Sequence, residues 1–411
     1  MAEYIAKFEL RDYQRDASNA GVLFFQRKHA KRNGILVLPT GSGKSLIIAD
    51  IASKLKENVL VLQPSKEILE QNYSKLLSYG ITDCSIYSAS LRKKQISTIT
   101  FATIGSVISK LSEFNIFRYI IVDECHQVNS TGGQYKELFE ATSRRILGLT
   151  ATPYRLTSQQ ITVDDDGHYN PDSEPQNVCI LKFLTRTRPR VFHDVLYQVS
   201  IQSLLKRGYL ARLRYFDLTL IDQQGLKRNS TGMDYDDTNL QNLFYVKNFY
   251  SYLVSIVNRV LNPKDGTQRR GVLVFTKFLK ESEELCKSID GCVMISGSTK
   301  KKEREKILKE FKEGKIKVVA NVGVLTTGFD YPELDTVIIA RPTMSLAMYY
   351  QIVGRVIRPY PGKDAWVVDL CGNVKLFGKV EDLYLTEPNR GEYMIRGLCN
   401  GTDKQLTNIY F

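Results

Sequence analysis

Short aliphatic runs, each ending in a polar or glycine-rich turn, recur along this chain of 411 residues. Runs of this length that are rich in valine and isoleucine predict strands buried on both faces, as in a parallel sheet with a helix between successive strands. The first series is 35–38, 59–62, 98–101, 119–122 and 146–149, and the second is 272–275, 293–295, 318–320, 337–340 and 366–369. The sequence therefore predicts an α/β fold of two tandem domains, each a mainly parallel sheet flanked by helices.

The segment between the two series differs in character. Residues 158–190 carry acidic and then basic residues without an apolar period, which predicts an insertion or a mobile loop. Helices are predicted within 191–215, stopped by Gly208, and over 238–261, ending before Pro263. The predicted organisation is an N-terminal domain (1–215), a helical connector (216–270), a C-terminal domain (271–385) and a tail (386–411).

Charge and composition narrow the class of protein. Lysine and arginine number 57 against 44 acidic residues, so the net charge of +13 favours a polyanionic partner, nucleic acid first. Apolar residues at 43% and charged residues at 25% are typical of a globular protein and exclude disordered and membrane-spanning classes. Seven scattered cysteines without a C-x-x-C pair predict reduced thiols, a cytoplasmic setting and no zinc site.

A glycine turn follows the first predicted strand and leads into a predicted helix. Gly41 and Gly43 allow backbone N–H groups to turn inward around phosphate oxygens, and the helix adds the positive end of its dipole. Lys44 is expected to reach the β- and γ-phosphates, and Ser45 to ligate Mg2+. The general pattern G-x-x-x-x-G-K-[ST] has Leu38 in place of its first glycine, so an ordinary strand-to-helix loop stays open from this motif alone.

Two carboxylates follow the strand at 119–122. The carboxyl ends of strands are where open parallel sheets bind ligands. Asp123 is expected to hold the Mg2+ that Ser45 also ligates, and Glu124 to orient and deprotonate the attacking water. A solvated acidic pair in a turn is the alternative, and the lysine loop upstream in the same predicted sheet argues against it.

Taken in order, these motifs resemble those of the superfamily 2 helicases and translocases, whose two RecA-like domains clamp ATP between them. The matching segments are 10–14, 39–45, 123–126, 150–153, 326–330 and 351–358. Within the superfamily, segments 123–126, 150–155 and 321–330 are most similar to the RadD-like bacterial DNA repair helicases. Those relatives carry a cysteine-rich extension beyond the motor, which this sequence does not contain.

The resemblance implies roles for individual residues. Nucleotide contacts are implied for Arg11, Gln14, Thr40, Gly41, Ser42, Gly43, Lys44, Ser45, Gly328 and Asp330, and catalytic roles for Lys44, Asp123, Glu124, Gln351, Arg355 and Arg358. The Gln14 amide can donate and accept at once, which suits adenine. Arg355 and Arg358 stand three apart on a predicted helix, where they share a face and are expected to reach the γ-phosphate. A solvated basic pair is the alternative.

Further residues are implicated in coupling and in nucleic-acid contact. Thr150 and Thr152 are expected to relay nucleotide state by hydrogen bonds. Loops after strands supply the candidate DNA contacts, which are Ser65, Lys66, Thr103, Thr276 and Lys277; for the hydroxyl residues, helix capping is an equal alternative. Arg186, Arg188 and Arg190 lie in the predicted insertion, unbalanced by nearby acids, where a duplex-separating or branch-recognising element is expected.

The predicted function is an ATP- and Mg2+-dependent DNA helicase or translocase. It is expected to act as a cytoplasmic monomer on branched, forked or junction DNA in repair, recombination, phage or defence processes, with a single-strand-binding protein or a nuclease as a partner. An RNA helicase and the ATPase motor subunit of a restriction or defence complex are the alternatives. A small-molecule P-loop kinase leaves the second domain unexplained, and a recognition subunit without enzymatic activity is excluded only by measured ATP hydrolysis.

Overall fold

The computed structural model describes residues 9–27, 32–129, 132–162, 170–326 and 329–409. The chain divides into two compact units, which are described separately below. Unit 1 comprises Met1–Arg155, Lys182–Ser200 and Thr386–Tyr393, and unit 2 comprises Leu156–Leu181, Ile201–Leu385 and Met394–Phe411.

The α-helices of the described residues are short to medium in length. They are α1 (Asp12–Gln26), α2 (Lys44–Leu55), α3 (Lys66–Ser78), α4 (Ile104–Ile108), α5 (Gln134–Ala141), α6 (Ile201–Lys206), α7 (Asp237–Val246), α8 (Phe249–Leu261), α9 (Leu279–Ser288), α10 (Lys301–Lys312), α11 (Leu346–Val353) and α12 (Asn373–Phe377). In the described part of the chain, none of them is both long and apolar enough to cross a membrane.

The strands carry the apolar runs of the sequence. They are β1 (Asn33–Val37), β2 (Val59–Gln63), β3 (Cys84–Ser88), β4 (Lys93–Lys94), β5 (Ile99–Thr103), β6 (Tyr119–Asp123), β7 (Ile146–Thr150), β8 (Tyr154–Thr162), β9 (Pro175–Phe183), β10 (Phe192–Gln198), β11 (Leu213–Asp217), β12 (Val272–Thr276), β13 (Cys292–Ile295), β14 (Val318–Val322), β15 (Thr336–Ala340), β16 (Ala365–Asp369), β17 (Tyr384–Thr386), β18 (Met394–Cys399) and β19 (Thr402–Gln405). Every aliphatic run of both predicted series overlaps one of these strands, so those predictions are confirmed.

Unit 1 is built on a sheet of order β10-β1-β7-β6-β2-β5-β3-β4. Its strand pairs are parallel except for β3 with β4. Helices α1 and α2 pack together against it, and their apolar faces join the strand interiors in one core. Since the central strands are parallel, the segments that follow β1, β6 and β7 leave the sheet at one edge, where the nucleotide motifs were predicted.

Unit 2 is built on a parallel sheet of order β11-β16-β15-β12-β14-β13. Helices α7 and α8 cover it, and the rings of Phe244 and Phe249 stack 4.2 Å apart in its core. The chain is bent between these helices by Asn248, whose φ of 51° is left-handed. The single helix predicted over 238–261 is therefore two helices, because asparagine tolerates this conformation.

Two segments differ from their predictions. The helix prediction for 191–215 was wrong at both ends, because the chain forms β10, then α6, then β11. Each of these two strands adds to an edge of a sheet, and that pairing overrides the local helical preference. The loop predicted over 158–190 contains β8 and β9, which pair in a two-stranded sheet. Only Tyr154 of β8 is buried, so no apolar period marks this strand. The tail contains β18 and β19, an antiparallel pair.

Candidate functional site

The glycine turn of unit 1 follows β1 as predicted. Gly41 and Gly43 have φ of 84° and 83°, values that favour glycine, and a Cβ on Gly43 would lie 2.5 Å from Nε2 of Gln14. Gly43 is the residue before α2, so the first amides of that helix, which lack intrahelical acceptors, open onto the turn. The backbone here has the form that binds phosphate oxygens.

Residues ahead of α1 and at its start fix the turn from the other side. The Tyr13 hydroxyl and the Gln14 amide nitrogen donate to the Ser42 carbonyl at 2.8 Å and 2.9 Å. The Gln14 amide oxygen accepts from the Arg11 N–H at 3.0 Å. Both ends of the Gln14 amide are thus engaged within the chain, and its predicted contact with adenine, like that of Arg11, remains a prediction.

A buried amide joins the two predicted Mg2+ ligands. The Ser45 hydroxyl donates to Oδ1 of Asn72 at 2.6 Å, and Nδ2 of Asn72 donates to Oδ2 of Asp123 at 3.1 Å and to Oε1 of Gln63 at 3.2 Å. Ser45 lies in the first turn of α2 and Asp123 ends β6, so Asn72 on α3 connects two separate motifs. Asn72 was not among the residues predicted from the sequence, although it shares the buried face of α3 with Ile68, Leu69 and Leu76.

The second carboxylate of the pair lies beside the loop lysine. Glu124 has a left-handed φ of 47°, which turns its side chain away from the line of β6. Its carboxylate lies 3.4 Å from Nζ of Lys44 and 3.4 Å from Nδ1 of His126. Lys44, Asp123 and Glu124 are therefore brought together as the sequence predicted.

Burial controls the protonation of this cluster. Burial raises the pKa of Asp123, and the adjacent Glu124 carboxylate raises it further, whereas Lys44 and the Asn72 amide act in the opposite direction. Burial likewise lowers the pKa of His126, which favours its neutral form near pH 7. A cation held at Asp123 would favour the charged carboxylate, as expected for a metal ligand.

The donor set fits Mg2+. This ion prefers oxygen ligands and commonly takes one or two from the protein, the remainder from water and phosphate. Ser45 and Asp123 offer a hydroxyl and a carboxylate, and both converge on the same amide of Asn72. Among the described residues the buried Ser42 hydroxyl of the turn has no hydrogen-bond partner, so the turn holds a further polar atom available to a phosphate-bearing ligand.

The predicted coupling threonines contact the acidic motif. Oγ1 of Thr150 lies 2.9 Å from Nδ1 of His126 and accepts from the Thr152 N–H at 3.0 Å. The Thr152 hydroxyl is buried and, within the described residues, has no partner. A path of contacts therefore runs from Glu124 through His126 to Thr150 and Thr152.

The unit 2 motif is arranged differently from its prediction. Helix α11 ends at Val353, so Arg355 and Arg358 lie in the turn after it and the prediction that they share a helix was wrong. The proline after Arg358 disfavours a helical residue before it. Arg358 forms an ion pair with Asp330, and Arg355 donates to the carbonyls of Phe329 at 2.6 Å and Gln351 at 3.3 Å. Gly328 lies outside the described residues.

The candidate DNA contacts divide by exposure. Ser65 caps α3 by accepting from the Ile68 N–H, which fits the capping alternative. The Thr103 hydroxyl lies 3.0 Å from the Ser106 hydroxyl and makes no capping bond to α4. Thr276 is fully buried against Ser282 and is inaccessible to a nucleic acid in this structure. Of the two lysine candidates, Lys66 is the more exposed.

The two lysines have acidic neighbours. Lys66 lies 3.9 Å from Glu67 and is one-third exposed, whereas Lys277 lies 2.6 Å from Asp234 and 3.2 Å from Asp237 and is nearly buried. A DNA contact by Lys277 would have to replace these carboxylates. The predicted absence of acids near the insertion was wrong for Arg186, which pairs with Glu392 at 3.0 Å.

Comparison with known proteins identifies similar domains in both units. Residues 7–155 match the family model "Type III restriction enzyme, res subunit", and residues 252–360 match "Helicase conserved C-terminal domain". The DNA 3'-5' translocase XPB2 of Sulfurisphaera tokodaii is 24% identical over 89% of this chain and 82% of its own length. A 51.5 kDa protein of a Lactococcus phage is 25% identical over 80% of this chain.

A solved structure shows the same fold. The ATP-dependent Type ISP restriction-modification enzyme LlaBIII bound to DNA aligns with a TM-score of 0.61 and 19% identity, over 89% of this chain and 28% of that one. The chain spans 64% of the phage protein and 51% of one yeast relative. The fold is thus that of two tandem RecA-like helicase domains, and the similar proteins are superfamily 2 helicases and related motors.

Proposed function

We propose that this chain, which its two domain matches and its relatives group with the superfamily 2 helicases, is an ATP-dependent DNA helicase or translocase. The observation that carries the proposal is the network from Ser45 through Asn72 to Asp123, directly behind the glycine turn. It assembles a phosphate-binding turn, a lysine and a metal-binding carboxylate at the edge of one sheet. The DNA substrate is inferred from the relatives and from the net charge of +13.

Each residue then has a task in hydrolysis. Bound Mg2+ would be held by Ser45 and Asp123 and would neutralise charge on the phosphates. Lys44 exchanges its contact with Glu124 for the phosphates, and the released Glu124 carboxylate accepts the proton of the attacking water. Arg355 and Arg358 are proposed to stabilise the transferring phosphoryl group, as the superfamily resemblance implies.

The proposal is tested by ATP hydrolysis rates with single-stranded, duplex, forked and four-way DNA and with RNA. We expect DNA to stimulate hydrolysis by the unsubstituted chain. Lys44→Ala serves as the blank, because it removes the phosphate-binding cation, and it should reduce the rate by at least about 100-fold. Absence of stimulation by every polynucleotide would contradict the motor function, and stimulation by RNA alone would favour the RNA helicase alternative.

A second candidate is the motor subunit of a larger restriction or defence complex. It is favoured by the family description that matches residues 7–155, which names the res subunit of a restriction enzyme. DNA-stimulated hydrolysis by the isolated chain is compatible with both candidates. Unwinding of a forked duplex without any added subunit would favour the independent helicase.

We further propose that the chain is particularly similar to the RadD-like repair helicases and acts in repair, phage or defence processes. We also propose a single-strand-binding protein or a nuclease as its partner, and a cytoplasmic location as a monomer. The relatives support the superfamily rather than the RadD-like group within it.

A further inference from the structure

Four adjacent strands of the unit 1 sheet begin just after an arginine. In the order of the sheet, Arg190 precedes β10, Arg32 precedes β1, Arg144 and Arg145 precede β7, and Arg118 precedes β6. These strands are mutually parallel, so their amino ends lie together at one edge. That edge is opposite the one that carries Lys44 and Asp123.

Electrostatic contacts place these arginines near one another. Burial lowers the pKa of His193 on β10, and the charges of Arg32 and Arg190 lower it further. Burial also lowers the pKa of Arg145, with Arg118 and Arg27 acting in the same direction. Arg32 and Arg190 therefore lie near His193 at the start of β10, and Arg27 and Arg118 lie near Arg145 at the start of β7.

Much of this charge is exposed. Arg27, Arg188 and Arg190 are exposed, and the side chains of Arg32 and Arg118 are 55% and 65% exposed. Arg145 is committed to the structure, because its guanidinium donates to the carbonyls at the end of α1. The exposed arginines, unlike Arg145, can turn toward a ligand without opening the core.

Two exposed acids at this edge pair with these arginines. Asp194 pairs with Arg32 at 2.9 Å, and Glu57 pairs with Arg118 at 2.7 Å. Exposed ion pairs contribute little to stability, so a phosphate can replace either carboxylate. The guanidinium fork suits that exchange, since it binds phosphate through two parallel hydrogen bonds.

We propose that Arg32, Arg118, Arg188 and Arg190, here called the amino-edge row, form a second contact surface for the phosphate backbone of DNA. Neighbouring strands lie about 4.8 Å apart, so the four strands span roughly 14 Å. One strand of duplex DNA presents about four phosphates over that length. Contacts of this kind ignore base sequence and add affinity in a salt-dependent way. The inference rests on the proposed function for the identity of the polyanion as DNA.

The test compares two triple variants in a DNA-binding assay. Arg32→Gln/Arg188→Gln/Arg190→Gln removes three of the four charges of the row, and Lys301→Gln/Lys306→Gln/Lys309→Gln removes the same charge from α10, where each lysine faces a glutamate. Fluorescence anisotropy with one duplex oligonucleotide, across a salt series, gives affinity and its salt slope. For the row variant we expect the slope to fall by about 2 to 3, and affinity to fall roughly tenfold or more.

Readouts without DNA guard against a folding defect. The thermal midpoint and the DNA-free ATPase rate of the row variant should match those of the unsubstituted chain, since the side chains are exposed and lie opposite Lys44. If the triple variant unfolds early, the single change Arg190→Gln should still lower the slope by about 1.

The outcomes separate the two proposals. An unchanged slope, or an equal fall in the α10 variant, would overturn the surface while leaving the motor function intact. A chain that binds no DNA at any salt concentration, or only RNA, would overturn both.

Discussion

The nucleotide turn of unit 1 and the arginine turn of unit 2 hold their charged groups in different ways. In unit 1 a neutral amide, Asn72, joins Ser45 to Asp123 and leaves the carboxylate with oxygen capacity for a cation. In unit 2 a charged partner, Asp330, holds Arg358 directly. The first region is thus arranged for a ligand, whereas the second must exchange an internal ion pair before its guanidinium can act.

The largest expected effect comes from Arg358→Ala. If Arg358 has its proposed role of stabilising the transferring phosphoryl group, its removal should lower kcat for DNA-stimulated ATP hydrolysis by about 1000-fold. Arg358→Lys should recover little, because an ammonium lacks the two-pronged donor geometry. A fall of less than about threefold would show that Arg358 serves only its ion pair with Asp330 and takes no part in hydrolysis.

The matched change at the partner sharpens the contrast. Asp330→Asn releases Arg358 while keeping the size of the side chain. If Asp330 only restrains the arginine, kcat should change by less than about tenfold, far less than for Arg358→Ala. Equal losses in the two variants would mean that the ion pair itself is required.

The two regions were predicted from the sequence to different extents, because they depend on different kinds of interaction. The strands and the unit 1 motifs depend on local patterns, such as aliphatic runs, paired glycines and adjacent acids. These patterns are visible in the sequence, and the elements they predict are present in the structure. The two ends of segment 191–215 form strands by pairing with distant strands, so the helix predicted there was wrong. The helix predicted to carry Arg355 and Arg358 was also wrong, because α11 ends at Val353, ahead of the proline that follows Arg358. A contact such as Arg358 with Asp330 spans separate motifs and leaves no local signal.

Asn72 lies between these two cases, because the sequence carries a local indication of its role from which no prediction was made. It stands with Ile68, Leu69 and Leu76 on the buried face of α3, where a polar side chain requires a partner. Such a residue on an apolar helix face next to a predicted metal site is a candidate for orienting a ligand.

The change Asn72→Ala should weaken the site without removing a ligand. Loss of a residue that orients metal ligands typically costs 10- to 100-fold in metal affinity, so KM for Mg2+ should rise by about that factor while kcat at saturating Mg2+ falls less. The control is Ser74→Ala, an exposed position on the same helix, which should leave both constants unchanged. If the Mg2+ dependence of Asn72→Ala were unaltered, Asn72 would not orient the metal ligands, and unit 1 would not differ from unit 2 in being arranged for a ligand.

The smallest effect on hydrolysis, and the most selective, is expected for Thr152→Ala. Its buried hydroxyl has no partner in the described part of the chain, whereas its N–H donates to Thr150, which contacts His126 of the acidic motif. Removing the hydroxyl should leave DNA-stimulated ATP hydrolysis within about twofold, since Thr152 is not among the residues proposed to hold ATP or Mg2+, but it should abolish strand separation of a forked duplex. Thr82→Ala, at an exposed position of the same unit, should alter neither activity. If hydrolysis and unwinding were lost to the same extent, Thr152 would act in the chemical step. The part of unit 1 that is arranged for a ligand would then include the segment after β7.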